Sequence, residues 1–155
     1  MSQWFVVNTL PHQEVRAEAN LRRQGYRPWL PSIKRSRRHA RRIDTIVAPL
    51  FPGYVFVQLD LTHDSWSSIN GTFGVRRLLC HGDRPAPVPS DFMRALRQTM
   101  NEEGVVAVPE SLKPGQKVRL IAGPFVDCIG TLLYLAAKGR VALLLSVLGQ
   151  EVSTV

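Results

Sequence analysis

The chain has 155 residues, 45% of them apolar, which is enough to pack one ordinary domain or two small ones and excludes wholesale disorder. Twenty Lys and Arg against twelve Asp and Glu give a net charge of +8, a balance that favours a polyanionic partner but carries no information about fold. Two cysteines, Cys80 and Cys128, cannot build a disulfide scaffold and suit a reducing compartment. No basic segment followed by an apolar run opens the chain. Its greasiest stretch, Val141 to Val147, is interrupted by Ser146 and is far shorter than the ~20 residues of a membrane span. A soluble, cytoplasmic protein with no membrane association is expected.

Trp4-Phe5-Val6-Val7 predicts a first strand. Pro11 can open a helix, good helix formers run from His12 to Gln24, and Gly25 is a natural stop. Val15, Ala19, Arg22 and Tyr26 share one side of that helix as a narrow apolar stripe. Tyr26 to Leu30 predicts a strand ended by Pro31. No acidic residue lies between Glu18 and Asp44, and six cations fall in Lys34-Arg35-Ser36-Arg37-Arg38-His39-Ala40-Arg41-Arg42. Like charges this dense cannot be buried together, so the run is expected to be a solvated loop or a hairpin tip. It is either a solubilising loop or a phosphate-contacting arm. The charge favours the arm, because the planar fork of arginine matches phosphate. Such an arm supplies affinity and no sequence preference.

Ile43 to Leu50 returns to apolar sequence, and Phe51-Pro52-Gly53 is a sharp turn. Tyr54-Val55-Phe56-Val57-Gln58-Leu59 is apolar on both faces, with Tyr54 and Phe56 on one and Val55, Val57 and Leu59 on the other. It is either a central strand or a strand with one face free for docking. Asp64 or Ser65 can cap a short helix reaching Ile69. Val75 to Cys80 predicts a strand, and Arg84 to Pro89, with three prolines, an extended connection. Ser90 is a good N-cap for a helix whose Phe92, Met93, Leu96 and Met100 form one apolar face. Asn101 to Lys113, with Glu102, Glu103, Pro109 and Glu110, reads as a linker. Beyond it, short β-like runs broken by Gly123-Pro124, Gly130, Gly139 and Gly149 suit a small antiparallel barrel. Residues 1–100 carry a net +8, residues 101–112 a net −3 and residues 113–155 a net +3, so the polyanion-facing surface belongs mainly to the first part.

No catalytic set emerges. His12, His39, His63 and His81 are scattered, and no metal, phosphate-loop, nucleophile-elbow or dinucleotide motif is present. Cys80 and His81 are adjacent and so point to opposite faces of a strand. A binding protein without cofactor is expected, not an enzyme.

Several pieces, in this order and spacing, resemble the NusG family of transcription elongation factors. They are Trp4-Phe5-Val6-Val7, Pro49 to Val57, Asp64-Ser65-Trp66, Gly74-Val75-Arg76, Pro85-Ala86-Pro87-Val88-Pro89, Lys113 to Arg119, and Gly123-Pro124-Phe125 with Gly130. Pro49-Leu50-Phe51-Pro52 and Leu143-Leu144-Leu145 are more similar to the specialised RfaH type. The resemblance implies an α+β architecture. An NGN domain, an antiparallel sheet flanked by helices, would cover 1–101. A linker would cover 102–114 and a KOW β-barrel 115–155. An alternative for the C-terminal part is an α-hairpin packed on the NGN domain. Residues 131–148 are rich in Leu and Ala, which favour helix, and Gly139 would split them into two.

The resemblance also implies partners. The NGN domain would bind the clamp helices of the bacterial RNA polymerase β′ subunit through Phe51, Tyr54, Phe56, Met93 and Leu96. It would meet the β-subunit gate through Ser65, Trp66, Ser67 and Ser68, and suppress pausing. His12, Gln13, Arg16, Asn20, Arg23, Asn70, Thr72, Phe73 and Arg76 would face the exposed non-template DNA strand, and Phe73 would either stack on a flipped base or pack. Independently of the resemblance, the charge of the basic run leads to the expectation that Arg37, Arg38, Arg41 and Arg42 contact nucleic acid non-specifically. Leu148 would meet a small-subunit ribosomal protein or Rho. A hairpin would bury Leu143, Leu144 and Leu148 on Phe51, Tyr54, Phe56 and Leu96. The alternative function is a ribosome-associated RNA-binding protein, since KOW modules occur there too.

Overall fold

A computed structural model of the chain describes residues 2–101, 104–107, 129, 132, 133 and 135–149. Its centre is a four-stranded antiparallel sheet in the order β2 (Arg27–Trp29), β5 (Tyr54–Leu59), β1 (Gln3–Thr9), β6 (Val75–Leu78). Strand β1 pairs with β5 over the register Gln3↔Leu59 to Asn8↔Tyr54, which places Phe5 opposite Val57 and Val6 opposite Phe56. The alternation of β5 therefore divides the core into two layers, one on each face of the sheet.

On the first face, Phe5, Val7, Val55, Val57 and Leu59 pack with Ala17 and Leu21 of helix α1 (Glu14–Arg23) and with Ile69, Val75 and Leu78. The apolar stripe expected on α1 is corrected here. Val15 is 68% exposed, and the buried residues are Glu14, Ala17 and Leu21. Gly74 makes the difference. It has φ +87°, and a Cβ there would stand 3.0 Å from the Ala17 backbone nitrogen, so the chain lies directly on the Ala17 side of the helix.

On the second face, Val6 and Phe56 pack with Phe92, Met93 and Leu96 of helix α2 (Ser90–Thr99). Ser90 is already the first helical residue and Pro89 the cap, so Ser90 does not act as the N-cap. The helix expected from Asp64 or Ser65 to Ile69 is a series of turns. The Asp64 carboxylate accepts the Asp60 N–H at 2.8 Å, so it looks back along the chain and caps no helix.

The basic run forms a β-hairpin. Strands β3 (Ser32–His39) and β4 (Arg42–Pro49) pair from Ser32↔Pro49 to His39↔Arg42. The two-residue turn Ala40-Arg41 has φ +44° and +70°, the left-handed values that a tight hairpin turn requires. Residues assigned to the linker join this sheet. Strand β9 (Val105–Ala107) runs parallel to β3, giving the order β4-β3-β9. Strands β7 (Cys80–His81) and β8 (Arg84–Pro85) form a short separate ribbon.

The C-terminal part departs most from the barrel expectation. Ala137–Val147 is an α-helix, α3, with Gly139 inside its first turn and not at a break between two helices. Gly149 at φ +75° follows the helix end, a common glycine stop. Leu144 and Leu148, with Ile129 and Leu132, complete the core layer that holds Phe56 and Leu96. The KOW-like segments Lys113–Arg119, Gly123–Phe125 and Gly130 lie outside the described residues.

Candidate functional site

The five residues expected to meet the polymerase clamp helices, Phe51, Tyr54, Phe56, Met93 and Leu96, lie together. Phe51 and Phe56 meet edge to face with ring centroids 5.8 Å apart, Met93 and Leu96 approach from α2, and Tyr54 lies at the margin. They do not form an open surface. Phe51, Phe56, Met93 and Leu96 are buried, with Leu144 and Leu148 of the C-terminal segment in the same cluster and Leu143 packed against it. An apolar patch of this size is costly to leave in water, and α3 removes that cost. Leu148, expected to meet a partner, is 3% exposed in this arrangement.

One residue of the contact was not singled out in the sequence. Arg140, 5% exposed, donates Nε–H to the Leu50 carbonyl at 2.7 Å and Nη1–H to the Leu135 carbonyl at 2.8 Å. The first bond ties α3 to the segment between β4 and β5, across 90 positions of sequence. A lone arginine within the Leu- and Ala-rich run is the only signal that pointed to it.

Burial raises the Tyr54 hydroxyl above its ordinary value, and the charges of Arg77 and Arg76 oppose this. The start of α1 is fixed beside it. The Glu14 carboxylate accepts the Gly53 N–H at 3.0 Å, and Asn8 Nδ2–H donates to the Gly53 carbonyl at 2.9 Å.

A second surface gathers part of the expected DNA-facing set. His12 and Arg16 are exposed at the N-terminal end of α1, Phe73 on the loop whose Gly74 lies against that helix, and Arg76 on β6. The Arg16 guanidinium lies 5.5 Å from the centre of the Phe73 ring, which is 70% exposed and so does not belong to the core. Asn20 donates to the Arg16 carbonyl, and Arg23 is exposed further along the helix. Gln13 Oε1 is buried without a hydrogen-bond partner. Asn70 and Thr72 have structural roles. Asn70 Oδ1 accepts the Leu78 N–H at 2.7 Å; buried Thr72 bonds to the Ser68 carbonyl and to Gln24 Nε2.

The remaining expected residues sit apart. Ser65, Ser67 and Ser68 are exposed, while Trp66 is partly buried against the α1-side core. The Tyr26 hydroxyl holds this loop through the Ser65 carbonyl at 2.7 Å and Ser68 Oγ at 2.6 Å. Arg41 and Arg42 are exposed at the hairpin tip, and the backbone of Arg37 and Arg38 stands in register with that of Asp44 and Ile43 across the hairpin. The hairpin belongs to a different sheet from the α1 surface.

A family model described as "Transcription termination factor nusG" matches residues 2–97. The chain belongs to the NusG family of transcription elongation and antitermination factors. The "Transcription termination/antitermination protein NusG" of Deinococcus radiodurans is 30% identical, the match covering 96% of this chain and 92% of that one. The protein of that name from Thermus thermophilus is 27% identical, over 96% and 91%. The one from Staphylococcus aureus is 27% identical, over 96% and 88%. A solved structure titled "Domain interaction in Thermotoga maritima NusG" is similar with a TM-score of 0.45 and 21% identity, over 79% of this chain and 67% of that one. No helix among the described residues is long and apolar enough to cross a membrane.

Proposed function

We propose that this chain binds bacterial RNA polymerase in the cytoplasm and suppresses pausing, acting through the apolar face of Phe51, Tyr54, Phe56, Met93 and Leu96. It works as a binding protein and not as an enzyme. In the covered arrangement that face is occupied by α3, so polymerase binding requires α3 to leave. The observation that carries this reading is the shared cluster: Leu144 and Leu148 fill the same apolar layer that the clamp helices would need. The covering segment supports the specialised, RfaH-type reading within the family. The α1 surface of His12, Arg16, Phe73 and Arg76 would face the exposed non-template strand, with arginine suited to phosphate and the Phe73 ring to base stacking. The Arg-rich hairpin would add non-specific contacts to nearby duplex. Trp66 and its flanking serines would face the β-subunit gate. Leu148, once released, would be offered to a ribosomal protein or Rho.

The test is a transcription assay on paused complexes, paired with co-elution on core polymerase, using a chain whose cover is weakened at Leu144. Shorter pauses and co-elution are expected. In that background Tyr54→Ala should cost about 2–4 kcal/mol of binding. Phe56→Ala is the poorer probe, since loss of so buried a ring costs about 3–5 kcal/mol of folding stability. A weakened-cover chain that folds, yet neither co-elutes nor shortens pauses, would overturn the reading.

A further inference from the structure

A cleft of about 500 Å³ lies at the seam between α3 and the body of the protein. Both sides build it. Pro52, Tyr54, His12 and Arg76 come from the body, Lys138 and Val141 from α3. Its size is that of a small-ligand site, and its wall of proline, aromatic ring and valine suits a flat, weakly polar body. Three cationic or titratable side chains, His12, Arg76 and Lys138, are exposed around that wall. The Glu14 carboxylate also lines it. One of its oxygens already accepts the Gly53 N–H, which fixes its position, and a carboxylate has further acceptor sites to offer.

We infer that this cleft binds a nucleoside phosphate, clamped between the body and α3. The base lies against Tyr54, Pro11 and Pro52. The phosphates meet the Arg76 guanidinium and the Lys138 ammonium, one from each side, in charge-assisted bonds. Glu14 accepts from a ribose hydroxyl or an exocyclic amine, groups that inorganic phosphate lacks. The volume holds a single nucleotide, and the two opposed walls favour a free mononucleotide over a continuous strand.

A ligand that touches both walls binds the covered form better than the uncovered one. It therefore holds α3 in place: if losing the Lys138 contact leaves the uncovered form about 10-fold weaker for the ligand, saturation raises the covered-to-uncovered ratio about 10-fold. Occupancy of the cleft is a property of the covered chain by itself and does not depend on polymerase binding, so the two readings fail separately.

Titration calorimetry on the intact chain tests this with ATP, GTP, adenosine, inorganic phosphate and a short oligothymidylate. ATP or GTP is expected to bind one per chain, and adenosine or phosphate at least about 10-fold more weakly, since a charge-assisted bond contributes roughly that factor. Lys138→Gln and Arg76→Gln should each weaken nucleotide binding about 10-fold. Both side chains are exposed, so both variants should melt like the parent. Three results would overturn the proposal: no saturable nucleotide binding at millimolar concentration, binding that Lys138→Gln leaves unchanged, or a Lys138-dependent signal with the oligonucleotide but not with the mononucleotides.

Discussion

Replacing Leu144 by alanine separates the cover from the body. Leu144 is fully buried, and it lies on α3, outside the sheet and helices that it covers. A buried Leu→Ala change costs about 2–5 kcal/mol, the lost transfer energy plus the cavity left behind. That cost falls on the covered form alone, because once α3 leaves, Leu144 no longer belongs to the cluster that holds Phe56 and Leu96. At about 1.4 kcal/mol per decade, the covered-to-uncovered ratio should fall by about 30- to 4,000-fold. The apparent polymerase affinity is the intrinsic one multiplied by the uncovered fraction, so it should rise by the same factor until the uncovered form dominates. Labelled core polymerase titrated with parent and Leu144→Ala chains reads the gain directly. Backbone exchange over residues 137–148 confirms that the cover has loosened. If exchange there accelerates while polymerase affinity stays at the parent value, α3 does not compete for the polymerase-binding face and the reasoning is refuted.

Two further outcomes are expected. Reversing the charge of Arg37, Arg38, Arg41 and Arg42 together should weaken DNA association and flatten its salt dependence by about 0.7–0.9 log units for each phosphate no longer engaged. An unchanged salt slope, measured by anisotropy across a salt series, would make the hairpin a solubilising element only. The Tyr54 phenol, raised above 10.0 by burial, binds its proton more tightly in the folded chain than in the unfolded one. Its contribution is fully present below about pH 10 and is lost as pH rises through the raised value. Phenolate absorbance should then show a late-titrating tyrosine that disappears in Tyr54→Phe. All three tyrosines ionising together at the ordinary value would contradict the burial of this one.

Much of the sheet was legible from local pattern. Tyr54 to Leu59 alternates two apolar sets, and the two core layers follow from that alternation once β5 is central. The helix carrying Phe92, Met93 and Leu96 was equally plain, because its apolar residues repeat at a single helical spacing. Helix α1 was harder. Val15-Ala19 and Ala17-Leu21 are both four-residue stripes, and only the close approach of Gly74, far along the chain, selects the second. The turns from Asp60 to Ile69 were missed for a local reason, since Asp64 bonds backwards to Asp60 and offers no cap to the residues after it. The candidate apolar site was readable as a set of residues, and its covering by Leu143, Leu144 and Leu148 only as the alternative to a barrel. Whether Leu144 and Leu148 join a helix or a strand depends on what their side chains meet, and that partner surface is assembled from residues far back in the chain, Phe51, Phe56 and Leu96 among them.

The covered arrangement also sets the sign of an exchange experiment on the complex. The Leu148 N–H bonds to the Leu144 carbonyl at 3.1 Å, and the Arg140 N–H to the Ala136 carbonyl at 3.0 Å. These helix bonds persist only while α3 stays on the body, because its eleven residues are too few to hold a helix in water unaided. Their protection therefore measures the opening of the cover, not global unfolding. The paired β1 and β5 amides, in the centre of the sheet, measure the latter. Core polymerase and α3 cannot both occupy Phe56 and Leu96 if the apolar face is the polymerase site. Adding saturating polymerase should then abolish protection at residues 140–148 while leaving β1 and β5 protected at least as well as before. A complex in which residues 140–148 keep their protection would mean that polymerase binds elsewhere on the chain, and the face beneath α3 would then be structural core.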